Sequence, residues 1–401
     1  MLEKSDTGIG DTLKVFNAFD LDVGLIVPTA TGMEKSIMDA TASVRDYLQN
    51  HGFHNYDTQG LGNDEHGVSR PAYFVRPDTL EETKISLYRP KTKNGDPRIW
   101  LGRLGRYASP FNLLAILVYE DTLYAVNCSD AATLQSIHNP SSPLGKIAAS
   151  RRPALNPAVA ELLDSLRAIA AKGFIPTMRV GDTGIGMTLE TLLGIPANAK
   201  KTPDYKGIEI KAKRLSKGSG NRVTLFSQVP NWKLSPIGSA LKLLSTYGYR
   251  GEDGKLRLYH EINAKGPNSL GFMLKVDSGN SWLRQNHVHP DTNAIKHVTT
   301  WEMDTLRGRL AEKHPETFWV SALVKGGKAN EEFHYIKVQH TRAPKIQNLD
   351  ALLEGGLISV DYLMSQKGPT SVRDHGYLFK INPKDFDALF PPSSVHELLE
   401  V

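Results

Sequence analysis

The sequence predicts a mixed α/β fold in two parts, and three observations lead to this prediction. After residue 157, short segments with strand alternation are interleaved with a few amphipathic helical segments. Residues 1–137 contain a separate mixture of helical and strand patterns, typical of an α+β domain. Between them, residues 138–156 are rich in proline and serine and contain no acidic residue, which is typical of a linker. We therefore expect an N-terminal domain over 1–137, a linker over 138–156 and a second domain over 157–401.

In the N-terminal part, hydrophobic periodicity predicts one helix and four strands. The helix is expected over residues 37–49. The strands are expected over 84–89, 98–101, 113–119 and 122–127, where apolar residues alternate or form short runs.

In the second part, Asn156 and Pro157 predict the start of a helix that ends at Gly173. Further helices are expected over 187–193, 236–247, 300–313 and 349–353. Ser235 and Pro236 are expected to open the second of these, and Thr299 with Glu302 to form a capping box for the third. Strands are expected over 207–213, 222–226, 256–262, 270–276, 318–324, 333–338 and 377–381.

Composition excludes several classes of protein. The chain has 401 residues, a formal net charge of +5 and a single cysteine, Cys128, so an internal disulfide framework is excluded. The longest apolar run, residues 113–119, is far shorter than the roughly 20 residues of a membrane helix. Residues 1–20 lack the apolar core of an export signal. We therefore expect a soluble cytoplasmic protein that does not enter a membrane.

A basic stretch over residues 84–106 is interleaved with aromatic residues. Cations and aromatic rings together can neutralise phosphates and stack on bases, so this stretch is a candidate DNA-binding surface, with Arg98, Arg103 and Arg106 as its candidate contacts. The alternative is a solvated sheet face with ordinary core aromatics.

The densest chemical signal lies in residues 181–214. Asp204 is followed after four residues by Glu209-Ile210-Lys211, and on a strand Glu209 and Lys211 share one face. The short segment ending in Gly207 can return Asp204 beside Glu209. Two converging carboxylates form a hard-cation site suited to Mg²⁺, and a neighbouring lysine can orient a water molecule or stabilise a phosphate.

The ordered motifs over residues 181–214, together with 318–324, 332–336, 349–361 and 374–379, resemble those of the MvaI/BcnI restriction endonucleases and, more distantly, the MutH mismatch-repair nickase. The resemblance covers about residues 155–401. It implies a restriction-endonuclease-like mixed central sheet with flanking helices and a PD-(D/E)XK active site containing Glu190, Asp204, Glu209 and Lys211. It also implies hydrolysis of DNA that leaves 5′-phosphates, with Mg²⁺ held by the three acids and Mn²⁺ able to substitute. Known relatives cut short GC-rich duplex sites and can act as monomers.

Basic residues near this segment are candidate DNA contacts. Lys213, Arg214, Lys217 and Arg222 could neutralise the backbone beside the scissile bond, or be merely solvated. Arg373 and His375 precede an expected strand, where a loop could reach base edges; a polar turn is the alternative.

Several alternatives remain open at this point. The acids and Lys211 could form a surface hairpin with an ion pair, and Glu190 could be a helix-surface carboxylate. Residues 182–188 resemble a motif of the GHKL ATPases, but no preceding asparagine helix accompanies it. A repair nickase and a DNA-binding protein without catalytic activity also remain possible. His287 and His289 are expected to lie in a loop, without a metal.

Overall fold

The computed structural model describes residues 5–150, 157–195, 203–215, 222–327, 329–368 and 370–399. By contacts between Cα atoms, the chain divides into two compact units. The first combines segments Met1–Arg152, Arg222–Arg309 and Lys345–Leu389. The second combines Pro153–Asn221, Leu310–Pro344 and Phe390–Val401. Each unit therefore joins segments that are distant in sequence, and the boundaries 1–137, 138–156 and 157–401 stay a prediction.

The α-helices of the described residues are numbered in chain order. They are α1 Ile9–Ala18, α2 Ala30–Lys35, α3 Ala42–Asn50, α4 Asn63–His66, α5 Ala131–Gln135, α6 Pro143–Ser150, α7 Pro157–Ala170, α8 Gly184–Leu192, α9 Ala240–Tyr247, α10 Met303–Lys313 and α11 Asn348–Glu354.

The strands are numbered in the same way. They are β1 Gly24–Ile26, β2 Met38–Asp39, β3 Val68–Val75, β4 Leu80–Tyr88, β5 Arg98–Leu101, β6 Leu114–Tyr119, β7 Thr122–Asn127, β8 Ile175–Pro176, β9 Ile208–Arg214, β10 Val223–Ser227, β11 Tyr249–Arg250, β12 Leu256–Ile262, β13 Phe272–Asp277, β14 Trp282–Val288, β15 Ile295–Glu302, β16 Glu316–Lys325, β17 Glu332–Thr341, β18 Ile358–Gly368, β19 Ser371–Ile381 and β20 Ser394–Glu397. Short 3₁₀ helices include Pro383–Ala388. The predicted mixed α/β class is confirmed.

The first unit contains a seven-stranded sheet in the order β1-β6-β7-β3-β4-β5-β2. The helix expected over 37–49 is wrong at its start, because Met38 pairs with Ile99 in this sheet and is 5% exposed. Met38 contributes to the helical pattern of the sequence, but in the structure it belongs to β2, which pairs with β5. Helix α3 begins only at Ala42. In the expected linker, Pro143–Ser150 is helical and residues 151–156 lie outside the described part of the chain.

Two further sheets complete the first unit, in the orders β10-β19-β18-β12-β11 and β13-β14-β15. The capping box expected at Thr299 and Glu302 is wrong, because β15 continues to Glu302 and α10 begins at Met303. The Thr299 hydroxyl is instead buried, 2.8 Å from the hydroxyl of Tyr362. Helix α9 begins at Ala240 rather than at 236, and the Ser239 hydroxyl accepts the hydrogen bond that caps it.

Two polar segments expected in loops belong to strands. Arg373 and His375 lie within β19, which continues the expected strand 377–381 towards the N-terminus. His287 lies in β14 and pairs with Phe272 and Lys296, so it is not a loop residue. Among the residues that the structure describes, no group of acids, histidines or cysteines is arranged as a metal site.

Within the first unit, the N-terminal segment packs on residues 345–389. Helix α1 contacts α11 and the 3₁₀ helix Pro383–Ala388. The Asn17 side-chain amide donates to the Asp387 carbonyl at 2.8 Å. Lys345 forms ion pairs with Asp20 at 2.6 Å and Asp22 at 2.7 Å. A separate N-terminal α+β domain is therefore not confirmed.

The second unit is built on the sheet β20-β17-β16-β9, to which β8 adds by pairing with β17. Strand β9 runs parallel to β16, and the other pairs are antiparallel. The apolar face of α7 joins α8 and this sheet in one core, as its periodicity predicts. The buried members from the helix are Ala158, Leu162, Leu163, Leu166, Ile169 and Ala170.

In the part of the chain that the structure describes, no helix combines the length and apolar character needed to cross a membrane.

Candidate active site

A tight hairpin brings two of the predicted acids together. Tyr205 and Ile208 exchange backbone hydrogen bonds of 2.9 and 2.7 Å. Lys206 and Gly207 between them have positive φ angles of 45° and 92°, as a two-residue hairpin turn with matching twist requires. The chain therefore reverses immediately after Asp204 and returns as β9, which places Glu209 next to Asp204.

Strand β9 presents an apolar and a polar face, as the sequence alternation predicts. Ile208 and Ile210 are 0% and 6% exposed and enter the core of the second unit. Glu209 and Lys211 lie on the opposite face, where Lys211 Nζ is 2.8 Å from Glu209 Oε1. Both side chains remain open to solvent, with exposed fractions of 24% and 36%. The functional pair is therefore held by a buried strand and is still accessible to a ligand.

The Asp204 carboxylate is oriented by the same strand. Its Oδ2 accepts a hydrogen bond from the backbone N–H of Ile210 at 2.9 Å. Burial raises the pKa of Asp204, this hydrogen bond opposes the increase, and the neighbouring Glu209 carboxylate adds to it. A cation placed near Asp204 would relieve this unfavourable charge.

Glu190 reaches the same cluster from helix α8, which packs beside β9. Burial raises the pKa of Glu190, and the charges of Asp204 and Glu209 raise it further, while Lys211 lowers it. The four side chains thus share one electrostatic environment. The structure therefore brings all four predicted catalytic residues together.

The start of α8 requires a glycine. A Cβ at Gly184 would lie 2.2 Å from the carbonyl oxygen of Arg179, so a larger residue does not fit. The buried Tyr335 hydroxyl donates to the Ile185 carbonyl at 2.8 Å, and the Met178 N–H donates to the Thr188 hydroxyl at 3.0 Å. These bonds hold the helix that carries Glu190. The glycine-rich segment 181–186 therefore allows the tight chain path from which α8 begins.

Arg214, a predicted DNA contact, is engaged in a structural network. Its guanidinium forms two bonds to Glu331, at 3.0 and 2.7 Å, and donates to the carbonyls of Gly181 and Asp182, each at 3.2 Å. The end of β9 is thereby tied to the segment before α8. The sequence does not point to Glu331, because nothing local in it indicates a partner 117 positions from Arg214.

Oxygen donors at the site suit a hard divalent cation chemically, since Glu190, Asp204 and Glu209 are carboxylates that repel one another. They do not form a closed set of ligands among the described residues, and Glu209 points to Lys211. The chemistry of these donors, rather than their arrangement, therefore fits a hard divalent cation.

Of the other predicted DNA contacts near the site, Lys213 is exposed on β9, and Lys217 lies outside the described residues. Arg222 belongs to the first unit and is bound by acids of its own sheet. It pairs with Asp361 at 2.9 Å and with Glu261 at 3.2 Å, and Lys380 also pairs with Asp361 at 2.9 Å. In this arrangement, Arg222 stabilises the sheet face.

The remaining predicted contacts differ in accessibility. Arg373, His375, Arg103 and Arg106 are exposed, whereas the Arg98 side chain is 12% exposed and forms an ion pair with Asp39. Arg103 donates to the Glu82 carbonyl. Arg98 is therefore not among the accessible basic side chains of the 84–106 stretch.

Comparison with known proteins places the chain in a family. A family model described as the MvaI/BcnI restriction endonuclease family matches residues 163–390, more than half of the 401 residues. The chain belongs to this family. As a restriction endonuclease, the enzyme is a hydrolase that cleaves DNA at specific sites. The match includes Glu190, Asp204, Glu209 and Lys211.

Two solved structures are similar to the enzyme. One is restriction endonuclease MvaI in complex with its cognate DNA substrate, 25% identical, covering 61% of this chain and all of that chain, with a TM-score of 0.48. The other is MvaI in the absence of DNA, 23% identical, covering 62% of this chain and all of that chain, with a TM-score of 0.39. No curated protein matches the chain.

Proposed function

We propose that the enzyme is a Mg²⁺-dependent type II endonuclease of the PD-(D/E)XK class. It hydrolyses phosphodiester bonds of duplex DNA, leaves 5′-phosphates and acts in the cytoplasm. The second unit then corresponds to the restriction-endonuclease-like core. The observation that carries this proposal is the shared environment of Glu190, Asp204, Glu209 and Lys211, created by the hairpin before β9 and by helix α8.

Asp204 and Glu209 would hold the cation, and Glu190 would assist them. When bound, Mg²⁺ offsets negative charge on the phosphate and on the leaving oxygen. The protein contributes fixed carboxylates, because the Ile210 N–H orients Asp204 and the sheet core holds β9. Burial raises the pKa values of Glu190 and Asp204, and the charges of the neighbouring acids raise them further, so a cation at this place is favoured.

Lys211 would act on the attacking water or on the phosphate. Its side chain is 36% exposed, and its ammonium is held on the carboxylate face by Glu209. From this position, it can donate a hydrogen bond to a water molecule, or to a phosphate oxygen on which negative charge develops during the reaction.

DNA contacts outside the carboxylate cluster are proposed for exposed basic side chains. Lys213 on β9, Arg373 and His375 on β19, and Arg103 and Arg106 in the N-terminal segment meet this condition. Exposed cations of this kind neutralise phosphates and make binding depend on salt. Arg98, Arg214 and Arg222 are engaged by protein groups, so they support the fold in this structure and would need to exchange partners to bind DNA.

Incubation of the purified enzyme with Mg²⁺ and a mixed DNA library, followed by sequencing of the ends, tests the proposal. We expect ends at one short sequence, each with a 5′-phosphate, and no ends in the presence of EDTA. A plasmid substrate distinguishes linear from nicked product and hence a restriction enzyme from a nickase. Binding without any cleavage under these conditions would instead identify a DNA-binding protein without catalytic activity.

A further inference from the structure

A pocket lies in the N-terminal segment, and the chemistry of the carboxylate hairpin does not involve it. Its volume is about 330 Å³, and residues of both outermost strands of the seven-stranded sheet, β1 and β2, line it. The sheet therefore curls until its two edges border one cavity. Leu25 and Ile26 from one edge and Met38 from the other form apolar parts of the wall.

The pocket carries a positive charge. Of the described residues that line it, Asp39 is the only acid, and Arg98 binds this carboxylate in an ion pair. Lys35 at the end of α2 and Lys93 at the start of the 3₁₀ helix Lys93–Gly95 are both exposed and line the same cavity. Two lysine charges thus remain after Asp39 and Arg98 have neutralised each other. An anionic ligand is the electrostatic complement of this wall.

An aromatic ring faces the same space. Tyr88 at the end of β4 is half-buried, lines the pocket and lies directly across the strands from Arg98. The hydroxyls of Thr31 and Thr92 add hydrogen-bonding groups to the rim. A planar ring, an apolar wall and two cations together suit a ligand that has a flat aromatic part and a phosphate.

We propose that this pocket binds a deoxynucleotide, with its base against Tyr88 and its phosphate between Lys35 and Lys93. The volume lies within the range of ligand pockets, roughly 300–1,000 Å³. Base stacking on an aromatic side chain tolerates any of the four bases, so this contact alone sets no sequence preference. Free nucleotides and a nucleotide unpaired from a DNA strand share this chemistry.

Calorimetric titration of the full-length chain in EDTA, which prevents Mg²⁺-dependent cleavage, tests the site. The probes are the four deoxynucleoside monophosphates, inorganic phosphate, and a short oligonucleotide in single-stranded and duplex form. We expect at least one nucleotide to bind about tenfold more tightly than inorganic phosphate, because stacking adds to the ionic contact. Tighter binding of the single strand than of free nucleotides would identify a DNA strand as the source, and the reverse would identify free nucleotides.

Substitutions locate the binding. Tyr88→Leu should remove the advantage of a nucleotide over phosphate, and Lys35→Gln with Lys93→Gln should weaken both ligands several-fold. Lys146→Gln, at an exposed position of α6 in the same unit, is the matched control and should change neither. Because Lys35 and Lys93 are exposed, these variants remain informative if Tyr88→Leu fails to fold. The proposal is wrong if no nucleotide binds more tightly than inorganic phosphate. It is also wrong if the lysine variants bind nucleotides as tightly as the control variant does. Both outcomes are independent of the cleavage assay.

Discussion

At the scale of single residues, the site depends on like charges held at close range. Asp204, Glu209 and Glu190 repel one another, and Lys211 is the cation that partly compensates them. Such an arrangement disfavours folding and favours binding of a divalent ion. Arrangements of this kind are common where function rather than stability decides residue identity.

Lys211→Ala should separate catalysis from binding. We expect cleavage to fall about 100- to 1,000-fold, because the charge next to the reacting phosphate is lost. Binding of duplex DNA in Ca²⁺ or EDTA should change little, since the exposed basic residues remain. Lys172→Ala, at an exposed lysine beyond α7, serves as the control. A parallel loss of binding and cleavage would argue against a catalytic role for Lys211.

Glu190→Gln should alter how stability depends on pH. Because the pKa of Glu190 is raised in the folded chain, mainly by burial, the unfolded chain loses this proton first as the pH rises. The ionised side chain of Glu190 therefore destabilises the folded state at neutral pH. The protonated side chain, which predominates at low pH, has no such effect. We expect the variant to melt at a higher temperature than the unsubstituted enzyme at pH 8 in EDTA, with the difference shrinking towards about pH 4.3, the ordinary range of glutamate.

The control for this measurement is Glu34→Gln, an exposed position on α2. Thermal unfolding by circular dichroism at several pH values gives the comparison. A difference between Glu190→Gln and the unsubstituted enzyme that is independent of pH would contradict an elevated pKa at this residue.

At the scale of elements, the catalytic hairpin and α8 are positioned by contacts of different range. The turn at Lys206 and Gly207 is local, and its short length ensures that Asp204 and Glu209 meet. The position of α8 depends on Tyr335 and on the Arg214–Glu331 pair, which are distant in sequence from the helix. The turn is predictable from a glycine and a strand pattern, whereas the contacts that position α8 are not.

Gly207→Ala should test the turn. The residue has φ of 92°, and an added Cβ would meet no atom within 4 Å, so the cost arises from the backbone conformation alone. We expect a loss of about 1 kcal/mol in the free energy of unfolding, together with weaker cleavage, because the hairpin aligns the acids. Gly266→Ala, which also has open space but no positive φ, should change neither. Denaturant unfolding and the cleavage rate measure both effects; equal stabilities of the two variants would contradict strain in the turn.

At the scale of the whole molecule, the N-terminal segment is part of the first unit. Arg307 of α10, whose side chain is 11% exposed, joins three acids from different elements, Asp46 of α3 at 2.7 Å, Asp304 at 2.7 Å and Asp350 of α11 at 2.6 Å. Asp350 is 3% exposed, and its burial raises its pKa despite the neighbouring guanidinium. Deleting residues 1–140 would remove Asp46 and uncover α11, so point substitutions at Arg103 and Arg106 are the cleaner test of DNA contact.

Arg307→Met should therefore be strongly destabilising. Removing the guanidinium leaves the Asp350 carboxylate buried without a cation, which typically costs about 3–5 kcal/mol. Arg167→Met is the matched control, because Arg167 pairs with Asp164 at 3.0 Å on the surface of α7, where such pairs contribute about 0–1 kcal/mol. Denaturant unfolding measures both. A small loss for Arg307→Met would contradict a stabilising role for this ion-pair cluster.

The sequence by itself determined the catalytic strand. Alternation of Ile208, Glu209, Ile210 and Lys211 assigns one face to the core and one to solvent, because successive side chains of a strand point in opposite directions. It likewise determined helix α7, whose apolar residues repeat at helical spacing. These features depend on residues close in sequence, where geometry follows from the backbone alone.

Only the tertiary structure decided which basic residues are accessible and how the N-terminal segment is packed. Arg98 and Arg214 are as basic in the sequence as Lys213, yet acids from distant segments bind them and leave Lys213 exposed. The same holds for Thr299, which resembles a helix cap but is buried in β15 against Tyr362. A partner that lies tens or hundreds of residues away leaves no local pattern, since its proximity arises only from the packing of the folded chain.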